Sequence, residues 1–467
     1  MRVLFVRPNG DVAYVPPPMG LLYLSAVTRQ SGQHEAKIID ARLHDLEINE
    51  ILARAEGFDP DIIGITSMTI EYVAAHKTAQ AFKKLWPNRP ILMGGPYPSS
   101  DPDQALEDLN IDTIFLGESE QNYVKWLEVQ ERGGALSEVP GIRYRNNSGI
   151  MINPPSGFMD NLDDIPEPAW DLIDLEKHFE KRFMVMRTMN PHQKNDRVLP
   201  LVSSRGCPFK CSYCHNLFGK KVRKHSTARV VGEMEFLRNT YGIEEIEFVD
   251  DIFNVDIPRA KEIFREVIDR KLNMNFSFPN GLRSDNFDEE LLDIMKEAGV
   301  YRLVFAIESG SDRIQKLIHK NLNLEKAMQN IAMADKKGFF SGGFFMMGFP
   351  TETEEELEKT IQYAKKSKLH TATFLLLTPF PGTEFWDQAL AAGMKLRKGY
   401  MNYYEISVNL SKVPSIKLEK MRRRAIVKFY GNPLRVIRFA MRTPNFFRRS
   451  IEYAFILLMS VTGKWKQ

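Results

Sequence analysis

Short apolar runs alternate with helical patterns along most of this 467-residue chain, and no other feature limits its fold more. In the first 135 residues, VLFV (3–6), KIID (37–40), IIGIT (62–66), ILMGG (91–95) and TIFLG (113–117) read as strands. Between them, stretches such as MGLLYLSAVTRQSG and VAAHKTAQAFKKLW place apolar residues three and four apart, the period of a helix buried on one face. Such alternation predicts an α/β doubly wound parallel sheet, with ligands beyond the carboxyl ends of its strands. From Leu201 the rhythm resumes in LPLVSS (199–204), EIEFVD (245–250), NFSFPNG (275–281), RLVFAIES (302–309), GGFFMMG (342–348) and TATFLLLTP (371–379). Helices are expected at 226–241, 258–270, 288–298, 323–337 and 352–367. Six βα units predict a (β/α)6 partial TIM barrel whose site lies at the strand carboxyl ends. The stretch between differs: GIRYRNNSGIMIN reads as a hairpin and NLDDIPEPAWDLID as irregular. The expected organisation is a domain over 1–136, a linker with a hairpin over 137–198, a barrel over 199–395 and a helical basic extension over 396–467.

Composition agrees: the chain is too long for one core, and 43% apolar with 26% charged residues is an ordinary globular balance. It opens directly into a strand rather than a signal peptide, and three cysteines cannot form a disulfide framework. A reducing cytoplasm is the expected home.

All three cysteines, Cys207, Cys211 and Cys214, fall in SSRGCPFKCSYCHN (203–216), spaced C-x3-C-x2-C. Three thiolates on one tight loop can hold three irons of a cubane [4Fe–4S] cluster and leave the fourth iron open. An open metal position is a catalytic feature, because substrate or cofactor can bind there. Three idle thiols would be an improbable coincidence in so long a chain. Zinc with His215 as fourth ligand is chemically possible, although adjacent residues rarely share one tetrahedral metal.

With Tyr213 before its last cysteine, this loop resembles the signature of the radical S-adenosylmethionine (SAM) superfamily, and the resemblance spans 195–390. It implies an open iron that takes the amine and carboxylate of SAM, and reductive cleavage of SAM to a deoxyadenosyl radical. In FVDDIFN (248–254), Asp250 and Asp251 match groups that relatives place against the SAM amine. In FAIESGSD (305–312), Glu308 and Ser309 match the ribose-contacting segment. NGLRSD (280–285) sets Arg283 where relatives hold the SAM carboxylate, and GFFMMGFPTET (343–353) matches the adenine-side turn around Gly348 and Pro350. TPFPGTEFWD (378–387) matches the sixth-strand turn. Any one acidic residue after a strand could be a helix N-cap; five matches in order carry the reading.

VPPPMGLLYLSAV (15–27), ITSMT (65–69), MGGPYPSS (93–100) and FLGESE (115–120) fall just after expected strands or at helix starts. They resemble the flavodoxin-like cobalamin (B12)-binding domain that precedes the barrel in a large class of radical SAM enzymes. The resemblance implies cobalamin contacts at Pro18, Gly20, Ser67, Met68, Thr69, Gly94, Gly95, Pro96, Gly117 and Glu118. Gly94 and Gly95 would admit a large planar ligand close to the backbone. The D-x-H-x-x-G motif that ligates cobalt in many such domains is missing: Asp40 and His44 have the wrong spacing, and His34 and His76 read as surface residues. Members of the class that lack the histidine bind cobalamin without it. A sheet that keeps the shape and binds nothing is the alternative.

The family implies three cofactors, a [4Fe–4S] cluster, SAM and cobalamin, and C-methylation of an unactivated carbon. Oxidative cyclisation or ring formation is the alternative, and a non-catalytic scaffold with a decayed site the second. A methylthiotransferase would need a second cluster, for which no cysteines remain. The expected partners are a hydrophobic small-molecule substrate of lipid or tetrapyrrole type and an electron donor such as flavodoxin or ferredoxin. No catalytic residue is assigned; Tyr403, Tyr404 and Glu405 are candidates for substrate contact. From Lys420 to Gln467 there are twelve Lys or Arg against the single acid Glu452, so this end carries +11 within a net charge of +3. Its apolar run IEYAFILLMSV is too short to cross a bilayer, whereas cationic helices with apolar faces lie in the interface. Peripheral contact with the inner membrane face through 420–467 is the expectation; helices packed on the barrel are the competing reading, and nucleic acid is disfavoured by so many aliphatics.

Overall fold

The structure, a computed structural model, describes residues 1–10, 16–32, 34–189, 192–215, 217–396 and 403–443. They form two compact units, one built on Met1–Arg182 with Leu217–Gly219, the other on 192–215, Lys220–Leu396 and 403–443.

The first unit interleaves β1 (Arg2–Arg7), β2 (Glu35–Asp40), β3 (Ile62–Thr66), β4 (Ile91–Gly94) and β5 (Thr113–Phe115) with helices. These are α1 (Met19–Gln30), α2 (Ile48–Glu56), α3 (Tyr72–Leu85), the short α4 (Pro96–Ser100) and α5 (Pro102–Glu107), and α6 (Glu120–Glu131). The five strands run parallel in the order β2-β1-β3-β4-β5. That order reverses between β1 and β3, and sheets of this kind form their ligand crevice beyond the strand ends at such a switch point. The strands read as unbroken apolar runs because a parallel sheet is covered on both faces. Leu4, Val6, Ile63, Ile65, Ile91 and Met93 share one core with Ala75, Ala79 and Phe82 of α3.

The hairpin expected in a linker is present as β6 (Ile142–Asn146) and β7 (Gly149–Ile152), but it continues the sheet. β6 pairs antiparallel with β5, so the sheet is mixed and the first unit runs past residue 136. The pairing satisfies the edge that the three-residue β5 would otherwise leave open. The stretch read as irregular contains two single 3-10 turns, Leu162–Asp164 and Trp170–Leu172, anchored by buried Leu162 and Trp170. Proline and aspartate break the periodicity there but leave isolated apolar anchors. A helix that the sequence reading missed, α7 (Leu175–Met189), follows.

The second unit opens with β8 (Val198–Leu201), after which the two-residue ladder of β9 (Ser204–Arg205) and β10 (Arg223–Lys224) pins the base of the cysteine loop. Then come α8 (Thr227–Tyr241), β11 (Glu245–Phe248), α9 (Ile257–Asp269), β12 (Asn275–Leu282), α10 (Glu289–Glu297) and β13 (Val300–Glu308). They are followed by α11 (Asp312–Leu317), α12 (Leu324–Lys336), β14 (Phe340–Met347), α13 (Glu354–Lys366) and β15 (Thr371–Leu376). The six long strands are parallel in sequential order, the (β/α)6 arrangement expected. Beyond them lie α14 (Glu384–Ala391), α15 (Ser415–Tyr430) and α16 (Pro433–Arg442). α15 covers the outer side of β15: the Tyr430 hydroxyl accepts from the Ala372 N–H and donates to its carbonyl, both at 3.2 Å. The described half of the basic extension is thus packed on the barrel. Residues 444–467, which include IEYAFILLMSV, lie outside the described residues. Among the described residues, no helix is long and apolar enough to cross a membrane.

Candidate active site: a three-thiol loop and a glycine-walled crevice

The cysteine loop leaves β8 under the control of two aspartates at the end of β11. Asp250, buried, accepts from the Ser203 N–H at 2.7 Å and from the Ser203 and Ser204 hydroxyls, each at 2.6 Å. Asp251 accepts from the Gly206 N–H at 2.9 Å, where Gly206 turns at φ 93° just before Cys207. The structure therefore gives both residues expected at the SAM amine a role in holding the cluster loop. We expect Asp250→Asn to cost about 1–3 kcal/mol, since an amide leaves a buried hydroxyl or N–H without its acceptor. A lower thermal midpoint together with faster iron loss would show it; an unchanged midpoint would mean the clamp is not formed.

Residues between the cysteines are anchored as well. Phe209 lies under the Arg283 guanidinium at 4.1 Å, and Ser212 donates to Ile318 O from its backbone and to Glu384 from its hydroxyl at 2.6 Å. Arg283 is itself tied to Asp285 and to the carbonyls of Lys320 and Asn321. The loop is held by its non-cysteine side chains, and Cys207 and Cys211 are left half-buried with Cys214 reaching the surface. Burial pushes the Cys207 thiol up; the Cys214 thiol is pushed up too, by desolvation among its neighbours and then by Cys211 and Cys207, an effect its exposure to solvent moderates. Thiols that crowd one another in this way become thiolates when metal supplies the missing positive charge, so the set fits an iron–sulfur cluster. Among the described residues no three His, Cys, Asp or Glu converge on one metal ion, whereas a cubane takes each thiolate on a different iron. His215, the ligand of the zinc alternative, turns its ring edge to Phe380 at 5.2 Å.

At the mouth of the half-barrel, Glu308 ends β13 in a left-handed conformation, φ 67°, and is buried. Its carboxylate accepts from the Tyr213 hydroxyl at 3.2 Å and from Lys320 Nζ at 3.0 Å. Lys320, which sequence reasoning missed, is carried there by a turn with positive φ at His319 and Asn321; nothing in its spacing signals this. Ser309 points elsewhere: its hydroxyl meets Thr360 of α13 at 3.2 Å. Gly348, φ 96°, donates from its N–H to Glu352 at 2.7 Å, as Phe349 does at 3.1 Å. A β-carbon at Gly348 would stand 3.1 Å from Leu418 of α15. Tyr403 lies close to Cys214; burial, then that thiol, pushes its phenol up to about 12. Tyr404 is half-buried and Glu405 exposed.

In the first unit, the residues matched to cobalamin contacts stand at the carboxyl ends of the strands. Pro18 and Gly20 begin α1; Ser67, Met68 and Thr69 follow β3; Gly94, Gly95 and Pro96 join β4 to α4; Gly117 and Glu118 follow β5. Backbone bonds from Ser67 N to Gly94 O and from Tyr97 N to Ser67 O, with Gly117 N donating to Ser99 Oγ at 2.9 Å, tie the last three loops together. Ser67, Thr69 and Glu118 are buried, while Met68, Ile70 and Val73 are exposed. A β-carbon at Gly20 would meet nothing, and one at Gly94 nothing nearer than 4.0 Å. Open glycine backbone beside exposed apolar side chains suits a broad, flat ligand, so the crevice fits cobalamin. Gly95 instead allows two loops to approach closely, since at φ 102° its β-carbon would lie 2.8 Å from Ser67 O. Gly95→Ala is expected to cost about 1–3 kcal/mol through strain and to weaken cobalamin retention after gel filtration; full retention would remove Gly95 from the wall.

Two histidines differ from expectation. The His34 side chain is buried against the amino terminus, 3.1 Å from Met1 N, not at the surface. His76 has both ring nitrogens engaged, with Asp108 at 2.7 Å and Tyr97 at 2.9 Å. Asp40 is held between Arg7 and His178.

A three-thiol loop at the carboxyl end of a parallel half-barrel, and a glycine-walled crevice on a 2-1-3-4-5 sheet, define an enzyme of radical chemistry with two cofactor-binding units. Family models for the radical SAM superfamily and the B12-binding domain match residues 201–364 and 9–125. An uncharacterised methyltransferase of Pyrococcus horikoshii is 33% identical over 93% of each chain. The cytidylyl-2-hydroxyethylphosphonate methyltransferase of Streptomyces wedmorensis is 31% identical, over 84% of this chain and 82% of its own. The fold matches that of the radical SAM methyltransferase TsrM from Kitasatospora setae, with cobalamin and a [4Fe–4S] cluster bound, at a TM-score of 0.73, 15% identity and 99% of both chains. The chain belongs to the cobalamin-binding radical SAM enzymes. Its cofactors are a [4Fe–4S] cluster, SAM and cobalamin.

Proposed function

We propose that this enzyme methylates an unactivated carbon of a small molecule with a planar or apolar part. The observation that carries the reading is likeness over nearly the whole chain to a methyltransferase, with a second at 31% identity. When bound, the cluster with SAM supplies hydrogen abstraction from carbon, and cobalamin supplies a methyl group to it. The chain's own residues position and exclude. Asp250 and Asp251 fix the cluster loop, Tyr213, Glu308 and Lys320 form the polar side of the mouth, and the Glu352 turn presents the backbone of Gly348. Phe380, its ring centre 5.2 Å from His215 and 5.8 Å from Tyr403, makes an aromatic wall beside Cys214, which supports a substrate of flat or apolar character. Electrons would come from a reduced flavodoxin or ferredoxin; exposed Lys210, Lys220, Lys221 and Lys224 flank the cysteine loop and favour an acidic partner.

The test is anaerobic reconstitution with iron, sulfide and hydroxocobalamin, followed by reduction with SAM carrying a labelled methyl group. Retained cobalamin, 5′-deoxyadenosine and label on carbon of an added lipid or tetrapyrrole acceptor are expected. SAM cleavage without cobalamin retention would sink methyl transfer, and an unlabelled cyclised product would replace it with ring formation.

A further inference from the structure

α16 uses its arginines to seat itself on the barrel, Arg435 buried, Arg438 half-buried and Arg442 exposed. The Arg435 guanidinium, 1% exposed, stacks 3.5 Å from the Phe429 ring centre and donates to the carbonyls of Ala364, Lys365 and Ser367 at the end of α13. Arg438 reaches the Asp335 carboxylate at 2.9 Å and the Lys368 carbonyl at 3.1 Å, and Arg442 the Asp335 carbonyl at 3.0 Å. These cations satisfy carbonyls and a carboxylate where helices end, which is where positive charge is favoured. The same helical spacing leaves Leu434, Ile437 and Met441 on the outer stripe, 71%, 53% and 72% exposed, with Val436 beside them. A single exposed aliphatic needs no explanation, but a stripe of them on a firmly docked helix marks an interaction surface.

Charge around the stripe selects the partner. Lys336, Lys365, Lys366 and Lys368 are exposed and lie on the chain beside the groups that Arg435, Arg438 and Arg442 bind. Among the described residues none of these four lysines is in an ion pair, although acids elsewhere on the unit are paired repeatedly. The sequence beyond α16, 444–467, keeps the same character, with four Lys or Arg to one acid among aromatic and aliphatic residues. An exposed apolar stripe on α16, with exposed ammonium groups outside any ion pair on the helix ends it docks against, matches the boundary of an anionic bilayer, acyl chains below and phosphates above.

We propose that this face docks on an anionic lipid surface. Leu434, Ile437 and Met441 enter the headgroup boundary, and Lys336, Lys365, Lys366 and Lys368 meet lipid phosphates. An ordinary interfacial helix carries its own cations outward; here they seat the helix, and the barrel supplies the charge.

The experiment is co-sedimentation of the full chain with vesicles of phosphatidylcholine alone, or of phosphatidylcholine with phosphatidylglycerol, at low and high salt. Binding only to the phosphatidylglycerol vesicles, weakened by salt, is expected. Leu434→Ser/Ile437→Ser/Met441→Ser should weaken it at least about tenfold, and Lys365→Gln/Lys366→Gln/Lys368→Gln by about fivefold per lysine. Thermal midpoint and SAM cleavage should be unchanged in both variants, since neither touches the thiol loop or the mouth. No vesicle binding by the wild-type chain would overturn the proposal, as would full binding by the serine variant. So would a dimer in light scattering that the serine variant dissolves, because the stripe would then belong to a second copy.

Discussion

Glu308→Ala should cost about 3–5 kcal/mol of stability, the scale for removing one partner of a buried pair. The Lys320 side chain is 9% exposed and Glu308 8%, so the ammonium would be left in a site with little water and no counter-charge. Tyr213 would lose its acceptor in the same step. A drop in thermal midpoint alone would say only that the pair is structural. The informative comparison is Glu308→Gln/Lys320→Met, which removes both charges and should restore most of the midpoint. Reductive SAM cleavage should stay low in the double variant if Glu308 also serves the bound SAM. Recovery of both stability and cleavage would reduce the cluster to a packing device, and wild-type stability in Glu308→Ala would mean that the ion pair contributes nothing.

The second large effect is a dependence on pH. Burial pushes the Glu352 carboxyl up to about 8, against the pull of the Gly348 and Phe349 N–H groups. Its folded value thus lies above its unfolded one, and the folded chain holds a proton there that the unfolded chain releases. The associated stability is complete below about pH 4.5 and is lost as pH rises through about 8, a span of up to about 5 kcal/mol. Glu356 runs the other way: hydrogen bonds from Arg313 first, then Thr353 and the Arg313 charge, hold it down at about 2, so its contribution is present above about pH 4.5. Of these two carboxylates only Glu352 changes state between pH 5 and 8, and histidines held down by burial, His370 at about 4 among them, act against it below about pH 6.5, so the comparison with a Glu352 variant isolates its share. Urea unfolding of wild type should show falling stability across that window, and Glu352→Gln should flatten the fall. An equal slope in both would show that Glu352 is ionised throughout.

Legibility followed locality. The strand–helix rhythm and the cysteine spacing lie within short windows, so both halves of the fold and the clustering of the three thiols on one loop could be read directly. The hairpin was legible as a hairpin, but its pairing with β5 depends on an open sheet edge that no local pattern records. Asp250 and Asp251 were recognisable as residues at a strand end near the site. Their use in fixing Ser203, Ser204 and Gly206 depends on a neighbouring strand more than forty positions away. Lys320 reaches Glu308 across twelve positions through a turn of positive φ, and Glu352, whose N–H partners are local, gains its raised pKa from burial that the tertiary fold supplies. The cations of α16 show the limit of pattern reading most clearly, because the count of arginines left membrane contact and packing on the barrel both open, and only the structure shows Arg435 and Arg438 bonded to the ends of other helices.

The packing of α15 and α16 bears on what counts as a minimal unit of this protein. The βα rhythm ends near residue 395, and a boundary drawn there would enclose all six long strands. It would also remove Tyr430, which occupies both backbone groups of Ala372 on the outermost strand, and Arg435, which caps α13. The severed half-barrel would present β15 as a bare template for another chain's strand. The two terminal helices therefore act as a guard against edge-to-edge aggregation, and the half-barrel is an autonomous unit only when it keeps them.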